Sequence, residues 1–425
     1  MSMNIVALYP LLLLIQNIYG NHLSRHLDHE IGQVVFINIL YRHGERTPIE
    51  CYPNDPYKNL TYWPCDWGQL TNVGKLHHYV LGNWLRSRYN HLVPNGRYNN
   101  RAIYVRSTDV DRTLMSAEAN LAGMFPPDEV EVWSAIKWQP IPVHTVPEEE
   151  DKLLAMKAPC KRYDVAYKHF ISSLEMKKIN EKYKDLYDYL SSHCGKVVDD
   201  LDGIDYLYST LFIEKLANLT LPEWTKEVFP VKMKEPAGLS FAIPTYTTEL
   251  KRLRGGPLVK EMLDNMQKKI DGNLERNISV YSGHDTTIGN LLNTMGIFNE
   301  ISPPFAATVL VELRKNSMDG QHYVTILYKN SSSSPHLLTL PGCTEACPLD
   351  KVKTLLHDVI PINWDTECHS HELFDLSNGQ PYHSLAIFAM VTSTLVVFLV
   401  LASASVYWNK QKPTYLYKKL RIETL

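Results

Sequence analysis

Tyr41-Arg42-His43-Gly44-Glu45-Arg46-Thr47-Pro48 is the stretch around which this chain is organised. It directly follows an apolar run, Val34-Val35-Phe36-Ile37-Asn38-Ile39-Leu40, rich in β-branched and aromatic residues. Such a run predicts a buried strand of the kind found in parallel sheets. The polar motif then lies at the carboxyl end of a strand, where open α/β sheets place their ligands. Arg42, His43 and Arg46 repel one another there unless an anion neutralises them. A guanidinium offers a planar fork of donors that matches phosphate oxygens. A histidine offers a nucleophilic nitrogen that needs no metal. The motif therefore points to a phosphate pocket with a histidine nucleophile. Ordinary solvated charges on a surface loop are the bland alternative, which the buried strand in front of the motif disfavours.

Two later stretches have the same character. Arg106-Ser107-Thr108-Asp109-Val110-Asp111-Arg112-Thr113 follows the short apolar run Ala102-Ile103-Tyr104-Val105. Ser282-Gly283-His284-Asp285-Thr286-Thr287 follows Ile278-Ser279-Val280-Tyr281. Each again delivers charged residues at a predicted strand end. In their order and spacing the three stretches resemble the signature of the histidine acid phosphatases. The likeness runs from Val34 to Cys368 and is strongest to the animal lysosomal and prostatic branch and its insect relatives. Glu45 stands where an aspartate is common, and the carboxylate is kept.

The resemblance implies an α/β fold, a mostly parallel sheet flanked by helices with a smaller helical cap. It implies hydrolysis of phosphate monoesters, small-molecule or protein-borne, through a phosphohistidine. By resemblance, His43 is the nucleophile and Asp285 the proton donor, while Arg42, Arg46, Arg106 and His284 bind the phosphoryl group. The physics agrees: phosphoryl transfer spreads charge over equatorial oxygens that fixed cations stabilise. A protonated carboxyl helps a poor alcohol leave. No His-x-x-Glu or His-x-His constellation suggests metal ligands, so neither a metal nor another cofactor is expected.

Along the chain, Gln69 to Tyr89 and Val110 to Gly123 carry helical periodicity, and Trp138 to Val146 reads as a strand ending near His144. Asp109 and Asp111 either orient Arg106 or cap the following helix. Residues 148–254 are rich in Lys, Glu, Tyr and Leu at helical spacing and are expected to form the cap, with Tyr163 and Asp205 as candidates for the substrate mouth. Residues 31–147 and 255–368 are expected to form the catalytic domain. Thr308 to Leu313 and Tyr323 to Tyr328 predict a hairpin turning at Asp319-Gly320. Leu258, Met262 and Met266 read as core packing.

Both ends of the sequence suggest a membrane address. Residues 1–20 read as a signal peptide built on the apolar run Ile5 to Ile15. Residues 385–408 are apolar, and no Asp, Glu, Lys or Arg occurs between Asp375 and Lys410, which predicts one transmembrane helix. Residues 369–384 would link it to the body. Lys410, Lys412, Lys418, Lys419 and Arg421 predict a cytoplasmic tail over 409–425. Tyr417-Lys418-Lys419-Leu420 fits a tyrosine-based signal for sorting adaptors. These features describe a type I single-pass protein with its body in the lysosomal or endosomal lumen or at the cell surface, whether or not it is released.

Seven cysteines suit an oxidising compartment. Cys343 and Cys347 are close enough for a local bridge, Cys160–Cys368 is the pairing that the resemblance suggests, and Cys51–Cys65 would close a loop beside the site. Cys194 is then left over. Sequons at Asn59, Asn218, Asn277 and Asn330 are candidates for glycosylation. A net charge of -3 gives no footprint for nucleic acid. The sequence leaves open whether the protein forms a homodimer. Two other functions compete: a phosphomutase-type enzyme, disfavoured by the secretory features, and a catalytically inactive ectodomain serving as a receptor, disfavoured because every expected site residue is present.

Overall fold

Gln33–Arg42 forms the central strand, β1, with every residue from Phe36 to Arg42 buried. The computed structural model describes residues 26–330, 334–369, 390 and 392–408. Six further strands follow: β2 (Ile103–Ser107), β3 (Ile278–Gly283), β4 (Thr308–Lys315), β5 (His322–Lys329), β6 (His336–Leu338) and the two-residue β7 (Cys347–Pro348). They form one sheet in the order β2-β3-β1-β4-β5-β6, with β7 also on β5.

The α/β class holds, but the sheet is mixed rather than mostly parallel. β2, β3 and β1 run parallel, whereas β4, β5, β6 and β7 pair antiparallel to their neighbours. β4 to β5 is a hairpin, and a short turn can only reverse the chain. The parallel part aligns the three motifs, with Arg42 opposite Gly283 and Ser107 opposite Ser282.

Strand periodicity divides β1 between two cores. Phe36 and Leu40 pack on one face with Leu258, Met262, Met266, Ile288 and Leu291. Ile37, Ile39 and Tyr41 pack on the other with Leu81, Leu85, Leu121 and Val280. The first face is covered by helices Gly256–Ile270 and Asp285–Thr294, the second by Asn72–Tyr89 and Asp111–Met124. Trp138 to Val146 is not a strand: His144 alone bridges Arg106, and its ring stacks on Tyr104 at 5.0 Å. Prolines at 140, 142 and 147 remove the donors a continuous ladder would need.

Between β2 and β3, helices from Lys161–Ile171 to Thr248–Arg254 enclose a separate apolar core, including Phe170, Leu190, Leu207 and Leu211. Cys160–Cys368 and Cys343–Cys347 are disulfides. Cys51 and Cys65 are unbonded, contrary to expectation, as is buried Cys194. Their sulfurs face different carbonyls, Tyr57 and Gln69, because the loop is closed instead by Trp63 Nε1 donating to the Tyr57 carbonyl at 3.0 Å. Asn59, Asn218 and Asn330 are exposed. Asn277 is half-buried and its Nδ2 donates to the Leu92 carbonyl at 2.6 Å, which argues against a sugar on that atom.

The described residues divide into two units, one over 26–369 and the other over 390–408. In the second, residues 392–408 are helical and exposed. Among the described residues no helix is long and apolar enough to cross a membrane. The expected signal peptide, most of the linker, the start of the expected span and the tail with Tyr417 lie outside the described residues.

The Cys160–Cys368 bridge spans 208 residues and lies within the helical core. Replacing both cysteines by serine is expected to cost about 2–5 kcal/mol of stability, read by denaturant unfolding. An unchanged midpoint would show that packing alone fixes the C-terminal segment.

Candidate active site

The three motifs meet because their strands lie side by side and parallel. The loop after β1 crosses helix Asn72–Tyr89 closely enough that a Cβ on Gly44 would fall 2.4 Å from the Gly74 carbonyl oxygen. Gly44 and Gly74 therefore allow backbone to lie on backbone and bring His43 over the sheet end.

His43 is 2% exposed. Its Nδ1 lies 2.8 Å from the Gly44 carbonyl, which assigns the proton to Nδ1 and leaves the Nε2 lone pair free. Burial, then Arg42, Arg112, Arg46 and His284, hold the ring well below the usual histidine pKa. It is therefore neutral in mildly acidic solution. Its ring centroid is 5.7 Å from that of His284. His284 Nε2 shares a hydrogen bond with Thr108 Oγ1 at 3.0 Å. Burial and Arg112 pull His284 down to about 3 against the opposing charge of Asp285.

Arg42 contacts the Pro303 carbonyl, lies over the Phe305 ring at 4.3 Å, and pairs with Asp285 Oδ2 at 2.6 Å. Arg46 donates to the Thr47 carbonyl. Arg106 pairs with Asp151 at 2.7 Å. Asp285 is the first residue of helix Asp285–Thr294, where the helix dipole favours an anion. Burial raises its pKa, but Arg42, Arg46 and His284 outweigh burial and hold it below the usual aspartate range.

Three contributors were not recognised from sequence. Arg112, in the first turn of helix Asp111–Met124, acts electrostatically on His43, His284 and Asp285. Its position six residues after Arg106 in the second motif was the available signal. Asp151, not Asp109 or Asp111, holds Arg106; its carboxylate also accepts from the amides of Leu153, Leu154 and Ala155. Asp111 accepts instead from Gln69. His78, completely buried and pulled down to about 3 by burial, lies with Nε2 3.0 Å from the Arg42 carbonyl and so positions the strand end.

Arg42, Arg46, Arg106 and Arg112 each keep a buried Nε without a partner among the described residues. A buried donor of this kind is costly unless a ligand accepts from it. Arg42, Arg46 and Asp285 open into a cavity of about 690 Å³, also lined by Tyr163 and Asp205. The arrangement is suited to holding an anion, attacking it with neutral Nε2 and exchanging a proton at Asp285. His144 is exposed at the sheet edge.

The profile of the histidine phosphatase superfamily (branch 2) matches residues 33–329. Prostatic acid phosphatase of Bos taurus is 41% identical over 341 residues, covering 78% of this chain and 87% of that protein. Lysosomal acid phosphatase of Homo sapiens is 36% identical over 372 residues, covering 86% of each. Among solved structures, the phytase of Citrobacter braakii superposes with a TM-score of 0.61 at 17% identity, covering 79% of this chain and 99% of that one, a likeness of fold alone.

Substituting Arg112 by Met removes a cation that lowers both site histidines. The His43 and His284 ring resonances are then expected to titrate at higher pH than in the wild type. Unmoved titrations would place Arg112 outside the electrostatic cluster.

Proposed function

Because the chain belongs to the histidine phosphatase superfamily, branch 2, and is an acid phosphatase, a phosphoric monoester hydrolase, we propose that its chemistry runs through His43 and Asp285. The observation that carries these roles is the buried, neutral His43 beside four arginines with unsatisfied Nε donors. Arg42, Arg46, Arg106, Arg112 and His284 hold the phosphoryl oxygens. His43 Nε2 attacks phosphorus, a phosphorus–nitrogen bond forms, and the ester phosphorus–oxygen bond breaks. The departing oxygen takes the proton of the Asp285 carboxyl. Water then attacks phosphorus, the phosphorus–nitrogen bond breaks, and the Asp285 carboxylate accepts the proton of the water.

The Arg42–Asp285 pair explains how this cycle couples to acid. In the free protein that pair keeps Asp285 ionised. A bound phosphate competes for Arg42 and brings negative charge beside the carboxylate. Both changes raise its pKa and favour proton uptake. Lowering the pH raises the protonated fraction, whereas His43 stays neutral. kcat/KM for alkyl phosphates should therefore rise as pH falls through the mildly acidic range.

Residues 31–147 and 255–368 are read as the catalytic body, with 148–254 as a cap that shapes the leaving-group side. The names of the relatives support a lysosomal or secreted location. The finer reading is a single-pass anchor over 385–408, supported by its uncharged sequence, with Tyr417 as a sorting signal. Imaging of Tyr417→Ala should show a shift from endolysosomes to the cell surface; an unchanged distribution removes the sorting claim.

His43→Ala is expected to abolish turnover and the acid-labile phosphoryl label that the wild type carries when quenched during turnover. Near-normal activity would exclude the covalent route. Asp285→Asn should cost alkyl phosphates about 10²–10⁴-fold in the first displacement and nitrophenyl phosphate far less. An equal loss for every leaving group, measured in single turnover, would instead assign Asp285 to positioning.

A further inference from the structure

The cavity that begins at Arg42, Arg46 and Asp285 must also accept whatever is esterified to the phosphate. Asp202 and Asp205 line it, three residues apart on one face of helix Leu201–Leu216. Asp202 is exposed and Asp205 half-buried, and neither carboxyl has a hydrogen bond or ion pair among the described residues. Asn290 lines the same cavity, is 1% exposed, and has an Oδ1 without a protein partner, while its Nδ2 lies 3.4 Å from Met156 Sδ. With the carboxyls ionised, three groups that accept hydrogen bonds thus border one space, together with the aromatic faces of Tyr163, Tyr206 and Phe241. Unpaired acceptors and aromatic faces suit a cation that carries N–H donors. Two cations also belong to the lining, Arg254 and Lys234. The first lies over the Tyr163 ring at 5.1 Å and keeps a buried Nε without a partner among the described residues, and the second is exposed.

We propose that Asp202, Asp205 and Asn290 select phosphate monoesters whose leaving group carries a primary ammonium a short chain away from the phosphate. This specificity rests on the phosphatase reading above and deepens it. The arginines alone would repel such a group, and the carboxylates of Asp202 and Asp205, once ionised, oppose that repulsion where the leaving group sits. Burial, then the charge of Asp285, push Asp205 up to about 8, with Asp202 adding to the rise and Arg42 and Arg46 opposing it. A cation seated against Asp205 relieves the crowding of negative charge, and its binding favours the ionised form.

Non-hydrolysable ligands isolate recognition from leaving-group chemistry. ω-Aminoalkylphosphonates with two to five methylenes are compared by calorimetry with n-alkylphosphonates of equal length, at about pH 8. In the wild type the amine is expected to bind about tenfold tighter at its best length, and an ω-carboxyalkylphosphonate weaker than the alkyl compound. In Asp202→Asn/Asp205→Asn the amine advantage is expected to fall towards unity. An amine that binds no tighter at any length overturns the proposal from the wild type alone. So does an undiminished advantage in a folded double variant. Hydrolysis of nitrophenyl phosphate by the wild type is followed in parallel. Its absence would overturn the phosphatase reading, whereas a cavity blind to the ammonium overturns only the specificity.

Discussion

The 2.6 Å ion pair between Arg42 and Asp285 is the contact on which the site depends. It joins the end of β1 to the first turn of helix Asp285–Thr294, two elements far apart in sequence. Four arginines and two histidines are gathered at this edge of the sheet. Their repulsion is opposed within the protein by Asp285 on Arg42 and Asp151 on Arg106. The remaining imbalance has two effects. It attracts an anion, and it adds to burial, the larger cause, in keeping His43 and His284 from accepting protons. A buried basic cluster can therefore hold His43, the proposed nucleophile, neutral in acid, where an isolated histidine would be charged.

A second buried charge cluster shows what full satisfaction looks like. Glu312 accepts from Arg88 and Tyr89 through one oxygen and from Arg314 and Thr325 through the other. Asp28 and the Gly32 carbonyl also accept from Arg314. Burial raises the Glu312 pKa, but Arg88 and Arg314 outweigh it and hold the carboxyl at about 2. This network ties β4 to helix Asn72–Tyr89 and the segment before β1. The active-site arginines differ in kind, because each retains an unpaired Nε. Together with their place at one end of the sheet, these open donors distinguish the site arginines from the Glu312 network, whose charges organise the fold.

The strand ends were legible because hydrophobic runs and charged motifs are both local signals. Val34 to Leu40 and Ile278 to Tyr281 marked β1 and β3, and the residues that followed them marked the site. Strand direction was less legible. Periodicity shows that Thr308 to Leu313 alternates but not which neighbour it joins, so β4 beside β1 made the sheet mixed. Asp151 escaped notice because its role depends on a turn whose three amides converge on one carboxylate. His78 escaped because a histidine on an amphipathic helix gives no sign that it will meet the Arg42 carbonyl. Cys51 and Cys65 misled in the opposite direction, since nearness in sequence did not bring their sulfurs together.

The division of labour within the fold follows from its connections. The groups proposed to react stand at the ends of β1 and β2 and just after β3, where paired backbone limits their movement. Asp202, Asp205 and Tyr163 come from helices with an apolar core of their own, reached through the long connection between β2 and β3. Those helices supply the cavity wall with residues separate from the strand ends proposed to hold the phosphoryl group. Transfer chemistry can then stay constant while leaving-group preference varies. The Cys160–Cys368 bridge limits this independence, because both cysteines lie in the helical core and Cys368 belongs to the segment that follows the sheet. The helical core that carries part of the cavity wall is thereby tied to the rest of the fold at a second point.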